Sequence, residues 1–184
     1  TGPYSVKVDR PLQKLEKLKA QLKEKNYVGS EKMAREILAD VEALYGENSL
    51  EAARVLDVLA DSILGSYAYI YRKEYSEKRR QAKTEEEHNT LKENRRQKSK
   101  QVREESLALA ERSLSIKEQV LGLPHPETAK SWNDFVIQFL QRGGGSRDER
   151  DRLLERARKR SEEAFHPDHP EIARILYQFG RLYF

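Results

Sequence analysis

Residues 106–135 read SLALAERSLSIKEQVLGLPHPETAKSWNDF. Two helical patterns meet there at a short break. In the first, Leu109, Ser113, Leu114, Ile116, Val120 and Leu121 set small or apolar residues on one face at helical spacing. Gly122 stands where a helix end calls for a left-handed residue. Leu123 precedes a proline, which holds it extended. Pro126 opens a second helix at a place where its missing N–H costs nothing, and Glu127 complements the macrodipole in the first turn. Ala129, Trp132, Phe135 and Val136 form that helix's buried face. The stretch is therefore a helix, a tight corner and a helix.

The corner recurs. Gly46-x6-Ala53, Gly122-x6-Ala129 and His166-x6-Ala173 share one spacing. The third residue after each alanine is large (Leu56, Trp132, Leu176), as is the sixth (Leu59, Phe135, Phe179). The seventh is small or medium (Ala60, Val136, Gly180), and the tenth is large again (Ile63, Phe139, Tyr183). Upstream, 11–26 reads as a helix with Leu12, Leu15, Leu18 and Leu22 on one side. Gly29-Ser30 breaks it, with Ser30 and Met33 placed to cap the next. That helix runs to Tyr45 with Met33, Ile37, Leu38, Val41 and Leu44 inward. Gly46 ends it and Ser49 caps its successor. Residues 1–10 carry no periodicity and read as an irregular leader.

Ala129 and Ala173 are 44 positions apart, Ala53 and Ala129 76. The excess of 32 is an insertion near 72–105, where the apolar face nearly vanishes. Between Ser76 and Gln101 only Ala82 and Leu91 are apolar. The insertion lacks Pro and Gly and is rich in helix formers. Thr84-x-x-Glu87 and Thr90-x-x-Glu93 each fit a capping box. The expectation is that two helices run on past the stack as a solvated antiparallel hairpin turning within 82–90; the alternative is a disordered loop.

The segments LALAERSLSIKEQVLGLPHPETA at 107–129 and FHPDHPEIA at 165–173 resemble tetratricopeptide repeats of the longer kind found in kinesin light chains. The resemblance covers most of 30–71 and 106–184. It departs at His166, which replaces a corner glycine, and at the first helix, which falls out of register. It implies an all-α, right-handed solenoid of antiparallel helix pairs, at about 11–45, 49–121 with the insertion, and 126–165, with a truncated last repeat at 170–184. It also implies that the residues one, four and eight after each corner alanine face a concave groove. These are Arg54, Lys130 and Arg174; Asp57, Asn133 and Tyr177; Asp61, Ile137 and Arg181. The implied role of Asn133 is to hydrogen-bond a peptide backbone, since one amide offers donor and acceptor. The first row forms a positive strip suited to an acidic segment.

At 37% apolar and 36% charged, the 184-residue chain suits thin helical layers, in which every helix keeps a wet face. It has no cysteine, hence no disulfide framework or thiolate metal site. No apolar run is long enough to span a membrane, and no signal-peptide pattern is present, which fits a cytoplasmic protein. The ends, Thr-Gly-Pro-Tyr and Leu182-Tyr183-Phe184 in mid-pattern, suggest an excised fragment of a larger chain. The net charge of +4 is small beside 35 basic and 31 acidic residues.

Signals for catalysis are weak. Gly143-Gly144-Gly145-Ser146 lacks the Lys-Ser/Thr and the preceding strand of a phosphate loop. His166 and His169 with Asp168 lack a third ligand cluster. No catalytic residue, cofactor or metal is expected. The function expected is a protein–protein interaction scaffold or adaptor. One rival is binding of nucleic acid or an acidic protein by the basic hairpin, through Lys78, Arg79, Arg80, Arg95 and Arg96. A second is a regulatory region of a larger enzyme. The apolar end at Leu182, Tyr183 and Phe184 is a candidate for self-association.

Overall fold

The computed structural model describes residues 5–122, 124–142 and 145–183, with side chains from Arg10 to Arg181 within those ranges. The described residues form eight α-helices: α1 (Ser5–Lys23), α2 (Ser30–Tyr45), α3 (Leu50–Ser66), α4 (Arg72–Gln81), α5 (Glu85–Leu121), α6 (Pro126–Gln141), α7 (Arg147–Ala164) and α8 (Pro170–Tyr183). A π-helical turn at Tyr67–Tyr71 joins α3 to α4. Helices α1/α2, α3/α5 and α6/α7 form pairs, and α8 begins a fourth. α3 touches α1 and α6, and α6 touches α8, so the first members form one layer. α2, α5 and α7 form the other. This is a helix-pair solenoid, and its stability comes from neighbour-to-neighbour burial.

The corners work as local chemistry dictates. Gly46 and Gly122 take φ of 91° and 79°, a region that favours glycine. Their ψ values, 154° and 168°, are extended, so neither is the left-handed residue expected of Gly122. Ser49 caps α3 by accepting from the Ala52 N–H. At the next two corners a histidine takes that part. Nδ1 of His125 accepts from the Glu127 N–H at 3.1 Å, and Nδ1 of His169 from the Glu171 N–H at 3.2 Å. Each is followed by a proline that opens the helix. The third corner needs no glycine because α7 ends on Phe165 in extended backbone.

The core runs through the pairs as one large cluster, with Ala53, Leu56 and Ile116 forming a smaller second one between α3 and α5. Trp132 is 1% exposed, tilted against Phe135 and covered by the Arg156 guanidinium 4.5 Å from its ring. Tyr27, from the α1–α2 connection, lies so close over Gly65 that a Cβ there would sit 1.8 Å from the ring. That close approach is why a glycine interrupts α3.

Several expectations need correction. α1 begins at Ser5, so the stretch read as an irregular leader is helical from there on. Pro11 sits inside α1 and is itself buried, forfeiting one backbone donor without ending the helix. Residues 1–4 lie outside the described residues. Ser30 does not cap α2: it is the first helical residue, and its hydroxyl donates to the Tyr27 carbonyl. Met33, Leu44 and Val120 are exposed, because the neighbouring helix covers a narrower stripe than the apolar pattern. Ala173 and Leu176 are exposed as well, while Ile172 and Ile175 turn inward against α7 and α6. Phe184 and the side chains of Leu182 and Tyr183, the candidate self-association end, lie outside the described residues.

The insertion is a helical hairpin. Thr84 and Glu87 close a full capping box at the start of α5, after a turn at 82–84. Thr90 and Glu93 lie inside α5 and cap nothing. α4 packs on α5 and on the π-helical turn. Among the hairpin's described side chains, Tyr75 and Val102 are the buried ones from 72 to 103.

Candidate binding groove

Along the first layer, α1, α3 and α6 enclose an open pocket of about 550 Å³. Val58 and Leu64 of α3 and Phe135 of α6 give it an apolar floor. Lys19, Lys23 and Lys25 stand on the α1 side, and Asp57, Asp61 and Asp134 on the α3–α6 side. Each aspartate has a cationic partner (Lys117, Arg142 or Arg174) and Lys19 has Glu16, so among the described residues Lys23 and Lys25 are the lining charges without an ion pair.

The aspartate wall is wired into the fold. Asp61 pairs with Arg142 at the end of α6, and Arg142 Nη2 donates to the Tyr27 hydroxyl at 2.6 Å. Arg72 Nη2 in turn donates to the Arg142 carbonyl at 2.6 Å. Burial raises the Asp61 carboxyl above the usual aspartate range, against the pull of Arg142. Burial and the Asp61 charge likewise raise the Tyr27 phenol. This cluster ties the α1–α2 connection, α3 and α6 together at one end of the groove.

The residues singled out from sequence scatter. Arg54 grips Glu127 of α6 with two hydrogen bonds, at 2.9 and 3.1 Å. Arg174 holds Glu171 and Asp134. The expected positive strip is therefore neutralised at two of three places; Lys130 is exposed. Asp57 lines the pocket but pairs with Lys117. Asn133 is 0% exposed and donates to Ser161 Oγ at 2.8 Å and to Glu171, so it faces the next pair and not a peptide. Ile137 is buried too. Tyr177 is 65% exposed, and Arg181 lines a small separate pocket with Arg150 and Gln178. On the hairpin, Arg79, Arg80 and Arg95 come together around Tyr75, and Arg95 and Arg96 share a second cleft; Lys78 lines neither.

Sequence reasoning missed the α1 lysines, Asp134 and Gln138. Lys19 and Lys23 are four apart at the edge of α1's leucine stripe, on the flank of Leu12, the one legible hint. On α6 the groove face is turned by about one residue from the implied positions: Asp134 and Gln138 line the pocket where Asn133 and Ile137 were expected.

One comparison with known families falls on α5 and the corner after it. Residues 101–127 match a tetratricopeptide repeat. The match spans the part of α5 that lies in the stack and the His125-Pro126 cap that starts α6. The repeat type generally mediates protein–protein contacts and is typically non-catalytic. Comparison with curated proteins gives no match. Among the described residues no His, Cys, Asp and Glu cluster could hold a metal ion, and no helix is long and apolar enough to cross a membrane.

Proposed function

We propose that this chain is a non-catalytic interaction module of the longer, kinesin-light-chain-like kind, holding a peptide or a loop of a partner domain along its concave face. The 44-residue step between Ala129 and Ala173 supports that repeat length. The observation that carries the reading is the 550 Å³ groove with an apolar floor and, on its α1 side, Lys23 and Lys25 without an ion pair among the described residues. Such a groove orients its occupant. An apolar side chain meets Val58, Leu64 and Phe135, and acidic residues face Lys19, Lys23 and Lys25, in place of the strip through Arg54 and Arg174. A rim of this kind acts on orientation and encounter more than on raw affinity.

A peptide array varying one central apolar residue flanked by acidic, neutral or basic residues tests this. The best binder is then titrated against Gln138→Trp, which fills the groove from a half-buried position, and against Lys23→Glu. Loss of about tenfold or more in affinity is expected for the first, corresponding to about 1.4 kcal/mol. A smaller loss, greatest for acidic-flanked peptides, is expected for the second. Binding indifferent to both variants would overturn the reading.

A further inference from the structure

The hairpin carries charge that the stack does not use. Residues 72–103 hold 12 basic and 6 acidic residues, the rest of the chain 23 and 25. The excess is also gathered in space. Where the hairpin leaves the stack, an open cleft of about 890 Å³ runs along α5 beside the π-helical turn. Arg72, Lys92, Arg95, Arg96, Lys100 and Arg103 line it, with Glu93 the one lining carboxylate. A second pocket of about 480 Å³ shares Arg72 and Arg95 and adds Arg79, Arg80 and His88. The acidic residues Glu74, Glu77 and Glu85 to Glu87 line neither.

A solvated helix face interleaves its signs and pairs them at helical spacing. Here, among the described residues, Arg79, Lys92, Arg95 and Arg96 carry no ion pair. Lys100 has only the exposed Glu104 at 3.8 Å, a contact of little worth. The arginines are nonetheless held in place. Arg72 is anchored on the Arg142 carbonyl, Arg103 on Ser99 Oγ at 2.9 Å, and Arg95 lies 4.9 Å over the Tyr75 ring. Planar guanidinium forks fixed in this way suit two-point binding of carboxylates.

The geometry points to this cleft as a second docking site, separate from the concave groove, for an extended acidic segment of a protein partner. Single-stranded nucleic acid needs open aromatic faces for its bases. Tyr67 is buried, stacked on Tyr71 and covered by Arg72 at 5.6 Å, and Tyr75 is buried under Arg95. The cleft therefore offers charge without a stacking platform, and its concave shape suits a single extended chain.

The test uses labelled oligoglutamate, oligoglutamine, single-stranded RNA and duplex DNA of similar length, followed by fluorescence anisotropy on the intact chain. Oligoglutamate is expected to bind, to weaken as salt rises, and to lose about tenfold or more on the triple change Lys92→Glu, Arg96→Glu, Lys100→Glu. The control triple Lys73→Glu, Lys78→Glu, Lys98→Glu makes the same charge change outside both pockets and is expected to cost less than about threefold. Gln138→Trp, in the concave groove, is expected to leave it unchanged. All seven positions lie outside the core, and helical content is checked by circular dichroism. Equal losses in the two triples would reduce the effect to diffuse charge and overturn the site. Tighter binding of RNA or DNA than of oligoglutamate, or no binding of oligoglutamate, would overturn the proposed partner.

Discussion

Asp57 on α3 and Asn133 on α6 stand at equivalent places, each four residues past its corner alanine. Asp57 pairs with Lys117 of α5, which is 1% exposed and also donates to Ser131 of α6 at 2.8 Å. Asn133 instead donates to Ser161 of α7 and Glu171 of α8. Lys117 and Ser161 are 44 residues apart, the same step as Ala129 to Ala173. Both junctions therefore join a first helix, its partner and the next first helix. One uses an ion pair between buried Lys117 and half-buried Asp57; the other uses one neutral hydrogen bond and one to the Glu171 carboxylate. The repeat places a polar contact at that junction and leaves open which groups make it, and at the second junction Asn133 Oδ1 stays buried without a hydrogen-bond partner. The same two pairs also end differently. α6 stops at Arg142, whereas α3 runs on at the equivalent Ser66 through the π-helical turn into the hairpin. The stack thus accepts an arm without losing its register.

The sharpest way to break the equivalence is at the third position after the corner alanine. Trp132→Ala should cost roughly 3–5 kcal/mol. Its counterpart Leu176→Ala, at a side chain 50% exposed, should stay within about 0.5 kcal/mol. Urea denaturation of the two variants measures both, and equal costs would mean that Leu176 is not on the exposed side of α8.

Next comes the junction itself. Lys117→Ser leaves the Asp57 carboxylate without its partner and opens a void, and should cost about 3 kcal/mol. Adding Asp57→Asn recreates the α6–α7 chemistry and should recover about 1 kcal/mol, since the orphaned charge is gone. A double variant as unstable as the single would show that the void, and not the charge, dominates.

Gly65→Ala probes the other difference between the pairs. Its Cβ would collide with Tyr27, and overpacking of this sort costs about 1–3 kcal/mol. The Tyr27 ring must swing aside, so the variant should also disturb the groove end that Arg142 and Asp61 build. Peptide affinity and melting temperature would fall together. Gln141, the equivalent position on α6, is exposed, and Gln141→Ala should be silent in stability to within about 0.5 kcal/mol.

The smallest effect concerns the tie between repeats. The Arg54 guanidinium holds the Glu127 carboxyl below its usual range. A lowered folded-state value means that the unfolded chain binds the proton more readily. The stabilisation is then present above the usual glutamate range and is lost as pH falls through the folded value. Both groups are substantially exposed, which limits the effect to a few tenths of a kcal/mol. Glu127→Gln should flatten the acid limb of the stability–pH curve by that amount, and an unchanged limb would show that the pair contributes nothing.

Much of the architecture was legible because corners are local. Ser49, Gly122, Pro126 and the Thr84–Glu87 box act on residues within four positions, so their chemistry is written in adjacent letters. The insertion's fate was legible for the same reason: helix formers without an apolar face can extend a helix but cannot join a core. The groove was not. A periodic pattern tells which side of a helix is apolar, but not which polar residue the neighbouring helix will claim. Asn133 and Arg54 looked free until Ser161, Glu171 and Glu127 arrived from 28 to 73 residues away.

The sequence by itself determined the helices, their corners, the repeat step and the hairpin, since each depends on backbone preferences and short-range spacing. Tertiary structure alone decided which charges survive as surface. It spent Arg54, Arg174 and Asn133 on contacts between repeats, gathered Lys19, Lys23 and Lys25 opposite three aspartates, and drew Arg72 to Arg103 into one cleft. The reason is range: a charge is cancelled or kept by whatever lies within a few ångströms in space, and chain distance does not report that.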